Sequence, residues 1–233
     1  MLSRCYLMSV GEFLDGAEGE GLLGTAMGKM DSARRERAER MMPGMPRAAC
    51  VGAGLLLQMA VRTAFGNGVC EEAGVEEGLA VYSLPQVMEL VERPIELVMD
   101  YGERGKPYLR EYPLFFNLSH SGEYVVCAVS DREIGVDIQK CFDFNVMRTA
   151  ERFFSKEECR ALAACGTEEE GRQFFFRLWT RKEAYGKLLG KGIMGVVSVN
   201  LLPDERNMVT ERELLWREWS WPEGYRIAMC QRA

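Results

Sequence analysis

One histidine stands in this chain, among residues that can do chemistry: Asn117-Leu118-Ser119-His120-Ser121-Gly122, directly ahead of an apolar run. Short polar side chains bond back to the local backbone and glycine supplies positive φ. The hexapeptide therefore reads as a turn that gathers hydroxyls, amides and the His120 ring at one point. An imidazole placed there can meet an anion or move a proton, and a histidine that merely closes the turn is the plainer alternative. Further on, Ile134-Gly135-Val136-Asp137-Ile138-Gln139 alternates as a strand, so Gly135, Asp137 and Gln139 share one face. A carboxylate and an amide oxygen two residues apart, with a glycine clearing space beside them, suit a hard cation such as Mg²⁺. The polar side of an ordinary antiparallel strand looks the same. A third group is Trp179, Glu183 and Lys187, spaced i, i+4 and i+8 in a helical run that stops at Gly190-Lys191-Gly192. Taken alone, Glu183 and Lys187 are an exposed pair worth roughly a few tenths of a kcal/mol.

These residues need elements to hold them. Residues 124–130 and 134–139 are β-rich and are joined by Asp131-Arg132-Glu133, which predicts a hairpin. Residues 4–10 read as a strand and residues 11–30 as a glycine-rich loop with acidic interruptions. Asp31 or Ser32 can cap a helix through Arg40 that stops near Pro43-Gly44. Residues 47–65 are apolar almost all round, which predicts a core helix. Residues 95–100 look extended. The second half repeats the order: strands, a helix after Phe153, the long helix before Gly190, then strands near 195–202 and 225–230.

Composition bounds the function. At 233 residues and 47% hydrophobic, the chain can bury one core or two smaller ones. No apolar stretch approaches a membrane span, since the run over residues 48–61 is short and broken by Gln58. The first residues lack the pattern of a signal peptide. The 8 cysteines include no Cys-x-x-Cys pair, so reduced thiols in a cytoplasm are expected, without a zinc site or disulfide frame. Cys127, mid-strand, reads as packing. A net charge of −6 argues against general nucleic-acid binding, which needs a basic field.

In order, Gly105-Lys106-Pro107-Tyr108, Phe116-Asn117-Leu118-Ser119-His120-Ser121-Gly122, Ile134-Gly135-Val136-Asp137-Ile138, Phe153-Phe154-Ser155-Lys156-Glu157-Glu158 and Leu178-Trp179-Thr180-Arg181-Lys182-Glu183-Ala184 resemble the 4′-phosphopantetheinyl transferases of the surfactin-synthetase-activating type. The closing strand Gly224-Tyr225-Arg226-Ile227-Ala228-Met229-Cys230 is similar as well, so the resemblance covers nearly the whole chain, most specifically residues 105–192. It implies an α+β fold of two pseudo-twofold-related α+β subdomains, residues 1–104 and 105–233, with the active site between them and the metal site in the second. Its two related halves let one copy build the whole site, so a monomer is expected, and the charge and hydropathy above leave no membrane and no nucleic acid as partner. The reaction implied is Mg²⁺-dependent transfer of the 4′-phosphopantetheine arm of coenzyme A to a serine of an apo acyl or peptidyl carrier protein, releasing adenosine 3′,5′-bisphosphate.

The resemblance carries roles residue by residue. Asp137 and Glu183 match metal-binding carboxylates, with Glu183 also a candidate base for the serine proton. Lys187 matches a phosphate-contacting lysine, though a helix-end cation is the alternative. His120 and Ser119 match coenzyme A contacts, and Lys106 a cofactor-contacting lysine. Arg47 stands about where another cofactor-binding cation is expected, with Arg34, Arg37 and Arg40 as further candidates for the adenosine-side phosphate. The chain departs from the pattern at Gln139, where many relatives carry an acid. An amide oxygen can still ligate Mg²⁺ but adds no charge, so a raised Mg²⁺ requirement is expected. Arg148, Arg152, Lys156 and Arg160 could meet an acidic carrier, or form a solvated face with Glu151, Glu157 and Glu158. Two other functions stay open: a non-catalytic coenzyme A-binding sensor or scaffold of the same fold, and a metal-dependent phosphoesterase.

Overall fold

The computed structural model describes residues 3–65, 74–76, 78–203 and 214–233. They form two compact units, Met1–Gly102 with Pro107–Asp131, and Glu103–Lys106 with Arg132–Ala233. Helices and sheets occur in both, as the α+β reading expects. A division at 104/105 would assign residues 107–131 to the second subdomain. They belong to the first unit, because their last strand pairs with the first strand of the chain.

The first unit runs β1 (Ser3–Ser9), a 3-10 turn (Gly11–Leu14), α1 (Gly16–Met27), α2 (Ser32–Glu39), α3 (Met45–Phe65), β2 (Gly74–Glu76), β3 (Leu79–Tyr82), α4 (Leu84–Leu90), β4 (Met99–Tyr101), β5 (Pro107–Leu109), β6 (Phe115–Ser121) and β7 (Tyr124–Ser130). Its sheet has the order β2-β3-β1-β7-β6, with β1 parallel to β3 and antiparallel to β7. The loop expected over residues 11–30 is mostly helix. Glycine weakens helices, but Gly19 lets α1 rest on the preceding turn, where a Cβ would come within 2.7 Å of the Glu12 carbonyl oxygen. Asp31 caps α2, its Oδ1 accepting from the Arg34 amide at 2.9 Å.

At 21 residues, α3 is long and apolar enough to cross a membrane, contrary to the expectation from residues 48–61. Those residues are all buried inside the unit, so α3 is its core helix. Gln58 is tolerated there because its amide closes on Ile95, donating to the carbonyl at 2.6 Å and accepting from the N–H at 2.8 Å. Cys127 is buried beneath this helix, and burial pushes its thiol up to about 12.

The second unit runs β8 (Ile134–Lys140), α5 (Val146–Phe153), α6 (Lys156–Ala163), α7 (Glu168–Leu188), a 3-10 turn (Ile193–Val196), β9 (Leu214–Trp219) and β10 (Tyr225–Arg232). Its antiparallel sheet has the order β8-β10-β9. A Thr167 capping box starts α7, which packs on β8 and β10. Phe144 and Phe154 pack against the α7 rings Phe175, Phe176 and Trp179 in one aromatic cluster.

Two expectations about strands are corrected. β7 and β8 do not form a hairpin: β7 pairs with β1 and β6, whereas β8 pairs with β10. The hairpin is instead β6–β7, turning at Gly122 with φ 52°. Nor do the described residues form a strand near 195–202. The Lys182 ammonium takes the carbonyls of Val196, Val197 and Val199 at 2.8–3.3 Å, in place of a neighbouring strand.

Candidate active site

Asp137 sits in β8 opposite Ala228 of β10 and is 5% exposed. Its face is set by its neighbour two residues back. A Cβ on Gly135 would stand 2.0 Å from the Ala184 carbonyl oxygen and 2.6 Å from the Leu188 nitrogen. Gly135 therefore clears room for the backbone of α7, rather than for a cation as its spacing suggests. That close approach brings the last turns of α7 onto Asp137. Lys187 Nζ donates to Asp137 Oδ1 at 2.7 Å and to the Val136 carbonyl at 3.2 Å. One turn earlier, half-buried Glu183 has its pKa raised, first by burial and then by the Asp137 carboxylate, with Lys187 pulling the other way.

The donor chemistry fits a divalent cation. The Asp137 carboxylate raises the pKa of Glu183 while the Lys187 ammonium is bonded to Asp137, so one cation stands against two carboxylates and a hard cation can neutralise the remaining charge. Among the described residues, no group of three or more His, Cys, Asp or Glu gathers as a metal site. The remaining positions of an Mg²⁺ shell would fall to Gln139, substrate oxygens and water. Gln139 lies on the same face of β8 and is half-buried, its amide in a long bond of 3.5 Å to the Lys140 carbonyl.

The other candidates divide by what holds their side chains. Asn117 to Ser121 are strand residues of β6, not a turn, because β7 pairs with them in register, Ser119 with Val126 and His120 with Val125. Neighbours on a strand point to opposite faces, so buried Ser119 and exposed His120 do not converge on one point. Lys106 Nζ donates to the Ile134 carbonyl at 2.9 Å and the Leu188 carbonyl at 3.0 Å, and burial lowers its pKa. Arg47 donates to the carbonyls of Glu39 at 3.2 Å and Met41 at 2.7 Å, at the C-terminal end of α2. Arg34 packs along Gly54, while Arg37 and Arg40 are exposed. Arg148, Arg152, Lys156 and Arg160 are all exposed on or beside α5 and α6, with Arg160 bridged to Glu157 at 2.9 Å.

Charges that frame the site have no signal of their own in the sequence. Lys182, next to Glu183, is wholly buried and bridges wholly buried Glu158 at 2.8 Å. Glu158 completes a capping box with Ser155 and accepts from the Leu201 amide at 2.8 Å. The Ser-x-x-Glu spacing of 155–158 is a readable helix-start signal, but nothing in it tells that the glutamate is buried against a lysine. Arg181 stacks over Trp216, 4.3 Å from the ring centroid, and shares Glu218 with Arg177.

Residues 133–230 match the model of the 4′-phosphopantetheinyl transferase superfamily. The chain is 36% identical over 155 residues to the 4′-phosphopantetheinyl transferase psf-1 of Bacillus pumilus, an alignment covering 63% of this chain and 66% of that protein. It is 34% identical over 136 residues to the 4′-phosphopantetheinyl transferase Sfp of Bacillus subtilis (strain 168), covering 55% and 60%. To the 4′-phosphopantetheinyl transferase AcpT of Escherichia coli (strain K12) it is 40% identical over 103 residues, covering 43% and 52%. The chain thus spans from about half to just under two thirds of the length of these relatives.

Proposed function

We propose, from the premise that this chain belongs through residues 133–230 to the 4′-phosphopantetheinyl transferase superfamily, that it transfers the phosphopantetheine arm of coenzyme A to a carrier-protein serine. The observation that carries the reading is the meeting of Asp137, Glu183 and Lys187 where α7 rests on Gly135. In the reaction the serine oxygen bonds to the phosphorus bearing the pantetheine arm. The bond from that phosphorus to the bridging pyrophosphate oxygen breaks, and adenosine 3′,5′-bisphosphate leaves.

Asp137 and Glu183, with Gln139 as a neutral third donor, would hold Mg²⁺. The ion when bound supplies positive charge to the pyrophosphate and its leaving group. Glu183, whose pKa is raised by burial and the neighbouring Asp137 carboxylate and which is therefore the more basic for it, is suited to accept the serine proton directly or through water. Lys187 carries its ammonium to developing phosphate charge, leaving Asp137 as it does so. His120 and Ser119 are taken from the motif match as coenzyme A contacts, with Arg34, Arg37 and Arg40 as further candidates. The acceptor is a fatty-acid, polyketide or nonribosomal-peptide carrier protein, and exposed Arg148 and Arg152 are the surface offered to its acidic helix.

The test is product release. With coenzyme A, Mg²⁺ and a panel of apo carriers, adenosine 3′,5′-bisphosphate should appear in step with modified carrier and stop on chelation. Its release without any carrier would replace the transferase by a phosphoesterase. Coenzyme A binding with no release on any carrier would favour the sensor or scaffold.

A further inference from the structure

The motif match sets Lys106 among the cofactor contacts, yet its ammonium is engaged elsewhere. It donates to Ile134, the first residue of β8 and three before Asp137, and to Leu188, the last residue of α7 and one after Lys187. The backbone that launches it is constrained on both sides: Gly105 holds φ at 75° and Pro107 fixes its own. The same short segment lies against the end of α7. Gly190, at φ 64°, would bring a Cβ within 3.4 Å of Arg104 Cβ and 3.5 Å of Lys106 Cβ, and Arg104 donates to the Leu189 carbonyl at 3.3 Å. The last carbonyls of a helix lack intrahelical donors and carry the negative end of its dipole, so two cations there are well matched.

We propose that Lys106 is a positioning residue that clamps the end of α7 to the start of β8, fixing the spacing of Asp137, Glu183 and Lys187; the inference rests on the transferase reading of that site. Metal binding needs Asp137 on a strand and Glu183 on a helix at one separation. Among the described residues β8 pairs with β10 on one side only, and a helix that slides by one residue moves about 1.5 Å, enough to spoil a coordination shell. Gly135 sets how closely α7 approaches β8, but a bare backbone contact does not prevent sliding. Lys187 bridges the two elements at mid-site, and that bridge opens when its ammonium turns to phosphate. Among the described residues Lys106 bonds two carbonyls and no carboxylate, so it holds both ends while Lys187 is engaged.

The test uses the full chain with Lys106→Met, which keeps length and loses the donors, and Lys106→Arg, which keeps charge and donors. Amide exchange of residues 188–192, measured without substrate, should be about tenfold faster in the Met variant, since the helix end opens locally. Its coenzyme A Kd should stay within about twofold. Its kcat should fall about tenfold or more, and the Mg²⁺ concentration for half-maximal rate should rise, because a displaced carboxylate weakens the shell. The Arg variant should recover most of kcat. Unchanged exchange together with a coenzyme A Kd raised about tenfold would overturn the clamp and make Lys106 a phosphate contact. A wild-type protein that transfers nothing would sink the transferase reading instead, and the exchange data would still judge the clamp.

Discussion

Two helices of 21 residues, α3 and α7, lie against the sheets of their own units, and they are built from opposite chemistry. Residues 48–61 of α3 are all buried and include one polar side chain, Gln58. α7 instead buries Arg181 and Lys182 and half-buries Glu183 and Lys187. An apolar helix needs only a core to cover it. A charged buried helix needs a partner for each charge, and α7 has three kinds. Lys182 is matched by Glu158 inside the fold, Arg181 by Glu218 on β9, and Lys187 by Asp137 beside Glu183. The first two pairs leave no negative charge over; the third leaves Glu183, and that surplus is where substrate chemistry can enter.

The contrast can be broken most severely at Lys182. Lys182→Met strands Glu158 in a fully buried place and should cost about 3–5 kcal/mol in urea unfolding. The double variant Lys182→Met with Glu158→Leu should recover much of that loss, and a double as unstable as the sum of the singles would show that the pair is not a unit. Gly135→Ala comes next. Its Cβ cannot coexist with the Ala184 carbonyl where α7 now sits, so about 1–3 kcal/mol of stability should go in a thermal melt, with transfer activity falling further. On the apolar side, Gln58→Leu should cost about 1–3 kcal/mol because the Ile95 N–H and carbonyl lose their partner. A neutral result would mean that α3 needs no polar anchor at all. The smallest stability change is expected for Gln139→Glu. There the readout is the Mg²⁺ concentration for half-maximal rate, which should fall as a third negative donor joins the shell.

The letters reveal the apolar helix far better than the charged one. The periodicity of residues 47–65 places α3 within two residues of its observed start, because a helix apolar all round has one home. By its letters the same run falls short of a membrane span, since Gln58 interrupts it; in the fold that amide is satisfied and the helix runs on. Motif order singles out Asp137, Glu183 and Lys187, and the structure brings these three together. Tertiary pairing decides what local pattern could not. Tyr124–Ser130 and Ile134–Lys140 look like hairpin arms but find different partners. Lys182 and Lys187 are the same letter on the same helix, and Lys106 and Arg47 look like free cations. Only the carbonyls and carboxylates around each one distinguish a clamp from a ligand.

The most direct measurement is intact-mass spectrometry of apo carrier proteins incubated with coenzyme A, Mg²⁺ and either the wild-type chain or Glu183→Ala. A carrier that gains about 340 Da with the wild type, the mass of a phosphopantetheine arm joined to serine, and nothing with a folded Glu183→Ala, is the predicted result. Equal mass gain with both proteins would contradict the assignment of the chemistry to the charged face of α7.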